Sequence, residues 1–342
     1  MNAANPLVSV IVPNYNGKQF LDECIASLRA QTFQDFELLM VDNASKDGSA
    51  DHLLEHYDGQ FRILVNAENL GFAEGNNVAI RQAKGQLIVF LNNDTRVDPG
   101  WLEALVRAAE SYPEAGMFAS QIRSYAEPET LDTIGIIIYP DGMSRGLGRL
   151  EPANNYSEAR EVFAPSGCSA MYRKQVLDEI GIFDGDFFAY CEDMDLGMRA
   201  RLAGWSCRYV PTSRVYHHYS GTAGKYSTFK AFLVERNHLW LLIKLFPKRM
   251  ILLSPWYTFL RYALQAYGVL TKRGASGQFA SQMPAYHLVL ILIRAYWGAL
   301  VALPALLRKR AEAKRYTRVS RREIASWFQR FGISAYELAL KD

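Results

Sequence analysis

Short apolar runs alternate with amphipathic stretches along the first part of the chain. Residues 8–12, Val-Ser-Val-Ile-Val, are a β-branched run that predicts a buried first strand. The run breaks at 13–17, Pro-Asn-Tyr-Asn-Gly, a turn by composition. Between 18 and 31, Phe20, Leu21, Cys24, Ile25 and Leu28 fall on one helical face. Further strands are predicted at 36–41, 61–65 and 87–91. Ser45 or Asp47 is positioned to cap the helix after the second strand. Residues 69–77 open another helix. Asp98-Pro99 predicts a cap and a first-turn proline for a helix through Trp101 and Leu105. This alternation predicts βαβ units, hence an α/β fold with a mostly parallel sheet.

The pattern weakens after residue 121. A strand is expected at 134–138 and a turn at 140–142. The Gly-rich stretch 142–148, with Arg145 inside it and Arg149 beside it, reads as a solvated loop or as a mobile loop over a site. Residues 166–172 predict a strand of small side chains that a ligand can approach closely. Glu192, Asp193 and Asp195 open a helix that Gly204 ends. Acidic residues in a first turn favour the helix dipole. That explains the charges but not Phe183, Phe187, Phe188 and Tyr190 before them. His217 and His218 follow a short strand at 207–210 by several residues.

Beyond Phe229 the character changes again. Residues 240–246 and 250–270 are apolar and aromatic, the latter broken by Ser254, Pro255, Arg261 and Gln265. Residues 285–307 are long enough to span a bilayer, with His287 and Arg294 as the polar breaks. A central Arg is costly in a span, and Lys272 and Arg273 would sit in the outer loop of a hairpin. Helices lying in the membrane surface or packed on the rest of the protein are therefore expected. The basic residues between Arg308 and Arg322, with Trp327 and Phe328 nearby, suit an anionic leaflet.

Composition narrows the picture little. A formal charge of +3 and the lack of a nucleic-acid motif argue against nucleic acid as a partner. The four cysteines form no Cys-x-x-Cys pair and read as reduced cytosolic thiols. Residues 1–6 lack Lys and Arg, so no signal peptide is expected.

The chemistry gathers at predicted strand ends. Residues 87–95 read Leu-Ile-Val-Phe-Leu-Asn-Asn-Asp-Thr, five apolar residues and then a polar run in which Asp94 is the one charge. Ligands of open α/β sheets bind outside the carboxyl ends of strands. A carboxylate there suits a hard divalent cation shared with substrate phosphates; an ordinary turn is the alternative. Neither Gly-x-Gly-x-x-Gly nor Gly-Lys-Ser/Thr follows the first strand. Instead Tyr15 is available to stack on a flat base and Asp42 to accept from a ring N–H. A buried Tyr and a capping Asp are the alternatives.

Four stretches occur in order: Val-Ile-Val-Pro-Asn-Tyr-Asn-Gly, Val-Asp-Asn-Ala-Ser-Lys-Asp-Gly-Ser, Asn-Leu-Gly-Phe-Ala-Glu-Gly-Asn-Asn and Leu-Asn-Asn-Asp-Thr. Together they resemble a family 2 glycosyltransferase of the GT-A fold, in its rhamnosyltransferase-like branch, over residues 7–245. The resemblance implies that Tyr15 and Asp42 hold the nucleotide base of a sugar-nucleotide donor. Pro13, Asn16, Asn43, Gly71, Asn76, Asn92 and Asn93 are expected around that donor. It implies that Asp94 ends the family's Asp-x-Asp motif and binds Mn2+ or Mg2+, with His217, three residues before Ser220, as a second ligand. The first position of the motif is Asn92 rather than Asp, which lowers the charge offered to the metal. By the same resemblance Asp193 is the base that takes the acceptor's proton, Glu192 orients or binds the acceptor, and Asp195 has a supporting role.

These readings give a GT-A catalytic domain over 1–228 and a helical, membrane-associating region over 229–342. The expected activity is an inverting, metal-dependent hexosyl transfer, with dTDP-rhamnose favoured as donor. The expected acceptor is a polyprenol-linked glycan at the cytoplasmic face of the cell membrane, in polysaccharide assembly. A UDP-sugar donor and a catalytically silent scaffold or glycan-binding subunit are the alternatives.

Overall fold

The computed structural model describes residues 5–218, 227–274, 276–278 and 286–341. Ser220 and Ala285 lie outside the described residues. The chain divides into two compact units. One comprises residues 1–136, 146–201 and 205–222; the other comprises 137–145, 202–204 and 223–342.

In the first unit β1 (Val8–Asn14), β2 (Phe36–Asp42), β3 (Arg62–Val65) and β4 (Leu87–Leu91) run parallel, in the order β4-β1-β2-β3. α1 (Lys18–Arg29), α2 (Ser49–Tyr57) and α3 (Gly71–Ile80) connect them. Alternate residues of a strand share a face. Thus Val8, Val10 and Val12 join Leu38, Met40, Val89 and Leu91 in one core, covered by Leu21, Cys24, Ile25 and Leu28 of α1.

Beyond β4 come β5 (Thr95–Val97), α4 (Trp101–Ser111), β6 (Ala115–Ser124), β7 (Leu131–Thr133), β8 (Ile136–Ile138), β9 (Ser144–Gly146) and β10 (Arg160–Val162). β11 (Ser169–Arg173), α5 (Lys174–Ile180), α6 (Glu192–Leu202) and β12 (Ser206–His217) follow. β11 inserts antiparallel between β4 and β6, and β12 runs parallel to β6 at the sheet's far side. The sheet is mixed but mostly parallel in its first half.

Several expected boundaries move. The helix after β5 starts at Trp101 behind Gly100, not at Asp98-Pro99. The Pro99 carbonyl accepts from the Thr32 N–H, and the Leu102 N–H donates to the Gln31 side chain, which thereby caps α4. Residues 134–138 are not one strand: Gly135, at φ +148°, breaks β7 from β8, and the Thr133 hydroxyl bonds across the break. The 142–148 stretch contains β9, paired with β8, rather than a plain loop. The strand expected at 207–210 continues to His217, because pairing with β6 resumes after an irregularity between Val210 and Arg214. Pro211 made the segment look finished.

The second unit is helical: α7 (Thr228–Leu245), α8 (Lys248–Thr271), α9 (Tyr286–Tyr316), α10 (Arg321–Arg330) and α11 (Ala335–Leu340). Pro255 lies inside α8 and Pro304 inside α9. Among the described residues α9 is the one helix long and apolar enough to cross a bilayer by length and composition.

Trp101 ties β6 and β11 to the helical layer. It is fully buried, and its indole N–H lies 3.1 Å from both the Ser120 and Ser169 hydroxyls. Replacing it by Ala leaves a large cavity, while Ser120 and Ser169 keep their bond to each other, so Trp101→Ala is expected to cost about 3–5 kcal/mol. The urea midpoint of the sheet's unfolding would fall accordingly; an unchanged midpoint would refute this.

Candidate active site

The order β4-β1-β2-β3 places a topological switch point between β1 and β4, where the connections leave to opposite sides. Three polar strand ends meet there. Asn14, the last residue of β1, donates from its amide to Asp42 Oδ2 at 2.9 Å, and its carbonyl accepts from the Asn93 amide at 2.6 Å. The ends of β2, β1 and the turn after β4 are thus tied by one side chain. Sequence reasoning named Pro13, Tyr15 and Asn16 and missed Asn14; the signal was a polar residue ending a buried strand.

The donor-side residues divide into two groups. Tyr15 is 37% exposed and Pro13 is half-buried. Asn16, at φ 51°, accepts from the Lys46 N–H and gives its own N–H to the Ser45 hydroxyl, fastening the loop after β1 to the loop after β2. Asp42 is fully buried and also accepts from the Ser45 N–H at 3.0 Å. Asn43, Gly71 and Asn76 are tied into the frame. The Asn43 amide donates to Asn69 Oδ1 and the Gly71 carbonyl and accepts from Asn66 and the Leu70 N–H, which fills its capacity. A Cβ on Gly71 would stand 2.5 Å from the Phe188 carbonyl oxygen. Asn76 is fully buried and donates to the Phe72 carbonyl one turn back.

Asp94 and His217 come together. Asp94 Oδ1 lies 3.3 Å from His217 Nε2, and both side chains are nearly buried. Nδ1 of the same ring lies 2.7 Å from Asp132 Oδ2, and Asp132 Oδ1 lies 3.2 Å from the Arg149 guanidinium. Asp132 was not anticipated; it sits far from both partners in sequence and carries no motif. Arg149 meets Asp132, and Arg145 donates to the Glu337 and Lys341 carbonyls, so neither matches the loop reading. Burial works against a charged His217 ring, but its acidic neighbours Cys168, Asp132 and Asp94 outweigh it and hold the ring well above its ordinary value. A cation binding there would displace that proton.

The donor set fits a hard cation. Two ligand bonds of about 2.1 Å at a right angle span about 3 Å, close to the 3.3 Å between the carboxylate oxygen and the imidazole nitrogen. Among the described residues no group of three His, Cys, Asp or Glu side chains is arranged to hold a metal. A Mg2+ or Mn2+ site of one or two protein ligands completed by phosphates matches that count. Asn92 contributes backbone: its N–H donates to the Cys168 carbonyl, and its carbonyl accepts from the Thr95 hydroxyl.

Asp193 stands beside this centre through Gly167. Its Oδ2 accepts from the Gly167 N–H at 2.9 Å, and its Oδ1 from its neighbour Met194 at 2.7 Å. Burial lifts Asp193 above the ordinary carboxylate range although those N–H groups pull the other way. Glu192 is lifted much further, by burial first and then by the charge of Asp193, and its Oε2 has no hydrogen-bond partner. Burial thus works against two negative charges side by side, and more strongly at Glu192 than at Asp193. Asp195 is a frame residue: fully buried, it pairs with Arg199 at 2.7 Å, and Arg199 donates to the carbonyls of Ile180, Gly181 and Ile182.

The aromatic segment before α6 is only partly a wall. Phe183 and Phe187 are core, Phe183 packing 4.8 Å from the Phe90 ring. Phe188 and Tyr190 are half-buried and, with Cys191, have φ of 66°, 68° and 66°. Left-handed backbone at such residues costs about 1–2 kcal/mol each, so the surrounding packing imposes this loop. A separate cavity of about 280 Å³, lined by Leu7, Leu87, Val106 and Arg173 among others, lies at the amino ends of β1 and β4, away from these residues.

Residues 9–181 match the profile of Glycosyl transferase family 2, and the chain belongs to that family. The N-acetylglucosaminyl-diphospho-decaprenol L-rhamnosyltransferase of Mycobacterium tuberculosis is 28% identical over 268 residues, covering 68% of this chain and 86% of that protein. Two solved structures share the fold. GalNAc-T7 with UDP, GalNAc and Mn2+ aligns with a TM-score of 0.56 at 17% identity, over 70% of this chain and 48% of that one. The Pyrobaculum calidifontis mannosyltransferase PcManGT with GDP-Man and Mn2+ aligns with a TM-score of 0.51 at 16% identity, over 88% and 87%. The first unit is therefore a GT-A domain and the protein a glycosyltransferase.

Asn14→Ala is expected to remove the amide that holds Asp42 and Asn93, leaving a buried carboxylate with one donor fewer. A loss of about 2–3 kcal/mol of stability follows, measured by denaturant unfolding without nucleotide. A variant as stable as the parent would show that the tie carries no weight.

Proposed function

We propose that this glycosyltransferase is inverting and metal-dependent, moving L-rhamnose from dTDP-rhamnose onto a polyprenol-linked glycan at the cytoplasmic membrane face. The observation that carries the chemistry is the Asp94–His217 pair at the switch point, held by Asp132, in the same unit as Asp193 on its Gly167 N–H. The relative that uses an N-acetylglucosaminyl-diphospho-decaprenol acceptor supports the sugar and the acceptor class.

Asp94 and His217 would hold Mn2+ or Mg2+, which when bound neutralises charge growing on the departing nucleotide diphosphate. Tyr15 offers its exposed ring to the base, and the Asp42–Asn14–Asn93 frame shapes the floor beneath. Asp193 Oδ takes the acceptor's hydroxyl proton. The oxygen forms its bond to the anomeric carbon as that carbon's bond to the diphosphate oxygen breaks on the opposite face, inverting the configuration. A base lifted above the usual carboxylate range accepts a proton more readily near neutrality. Burial and the charge of Asp193 disfavour a second negative charge on Glu192 beside it.

Asp193→Asn is expected to lower transfer by about 10²–10⁴-fold while Mn2+-dependent nucleotide binding persists. Because burial raises the Asp193 pKa, kcat/KM falls as pH drops through that raised value. Its acid limb thus lies above the ordinary carboxylate range. An unchanged rate in the variant would remove Asp193 as base. A donor panel of dTDP-rhamnose and UDP-sugars separates the two donor readings.

Asp132→Asn keeps the shape and removes the charge behind His217. Mn2+ affinity, read by calorimetry with the nucleotide diphosphate present, is expected to weaken about 10–100-fold. Parental affinity in that variant would mean that the Asp132 charge does not support the metal site.

A further inference from the structure

Helix α8 of the second unit is inside out. Its buried positions are Ser254, Thr258, Arg261 and Gly268, whereas Leu252 is 80% exposed, Trp256 59%, Phe259 61% and Leu270 84%. A helix on a water-facing protein does the reverse, burying its apolar stripe. The polar face is fully engaged within the unit. Arg261 Nε lies 2.7 Å from Asp141 Oδ2, and its terminal nitrogens lie 2.8 and 3.2 Å from the two Glu235 oxygens. The Tyr262 hydroxyl donates to Glu235 at 3.1 Å, and the Thr258 hydroxyl to Asp141 at 3.3 Å. Such pairing is what polar groups need where water cannot reach them.

Helix α9 repeats the outward pattern. Ile291, Ala295, Ala299 and Leu306 face inward, while Ile293, Trp297, Leu300 and Val301 are all exposed. α8 with its 24 residues is about 36 Å long, and the apolar part of α9 is nearly as long. Exposed cations mark the helix ends: Lys248 and Arg249, then Lys272 and Arg273 on α8, and Arg308, Lys314 and Arg315 after the apolar part of α9; the one cation within that part, Arg294, is exposed and lies over the Phe232 ring. Apolar faces of this length, ended by cations, complement a lipid surface of negative charge.

We propose that the second unit enters an anionic bilayer through the outward faces of α8 and α9, with the Arg261–Asp141–Glu235 network as its polar interior. The insertion is hydrophobic and not merely electrostatic, which sharpens the membrane localisation proposed above and does not depend on the sugar chemistry. The same faces would otherwise have to be covered by a second copy of the chain.

The full chain is mixed with vesicles of phosphatidylcholine alone or with an equal part of phosphatidylglycerol, floated, and washed with high salt. Binding to the anionic vesicles is expected to be about tenfold stronger or more, and salt should not release bound protein. Lipids brominated midway along the acyl chain should quench tryptophan fluorescence. A Trp256→Phe, Trp297→Phe double variant should still float and lose most of that quenching. Release by salt, quenching only from headgroup-level bromine, equal binding to both vesicles, or a lipid-free dimer that shields both tryptophans would each overturn the proposal. Donor hydrolysis is measured on the same preparation in detergent. An active protein that stays off vesicles sinks the insertion alone, and one that inserts but does not hydrolyse the donor sinks the proposed donor alone.

Discussion

The side chain of Asn14 is the constraint on which the site depends. Parallel strands bring the ends of β1, β2 and β4 to one edge, but hydrogen-bonded backbone alone leaves the turns beyond them unspecified. One amide, donating to Asp42 and accepting from Asn93, fixes both flanking turns at once. An amide suits this place because it donates and accepts without adding charge beside a buried carboxylate. With Asn93 fixed, Asp94 has a defined direction, and β12 delivers His217 to meet it.

Around that tie the site is layered by charge. The Arg149–Asp132–His217–Asp94 chain sets each carboxylate beside a guanidinium or an imidazole nitrogen. Across Gly167, burial disfavours two negative charges on the Glu192–Asp193 pair, most strongly on Glu192. Asp195, a third carboxylate in the same helical turn, is neutralised by Arg199 and serves the frame. Three acidic residues within four positions thus have three different tasks, set by burial and partners.

Much of this was legible in the sequence. The strand at 87–91 and the parallel order around it follow from short β-branched runs and helical periodicity. The order of four polar motifs pointed to the family, and Asp94 and His217 do come together. What was illegible depends on distance along the chain. Nothing local marks Asp132 as the partner of His217, or Gln31 as the cap of α4. Nothing local in Asn43 tells a donor-binding amide from one spent on bracing the 66–71 turn. The antiparallel insertion of β11 and the continuation of β12 past Pro211 are decided by pairing with β6, not by propensity. The apolar length of α8 was visible, but its inversion appears only when Arg261 is seen to face inward.

The central claim is that Asp94 and His217 together hold the metal of a donor diphosphate. Anomalous diffraction at the manganese edge, from crystals grown with Mn2+ and dTDP, tests it most directly. One ion is expected, bonded to an Asp94 carboxylate oxygen, His217 Nε2 and diphosphate oxygens, with Asp132 on the far side of the ring. An ion on the diphosphate that His217 does not touch, or one seated elsewhere in the chain, would contradict it.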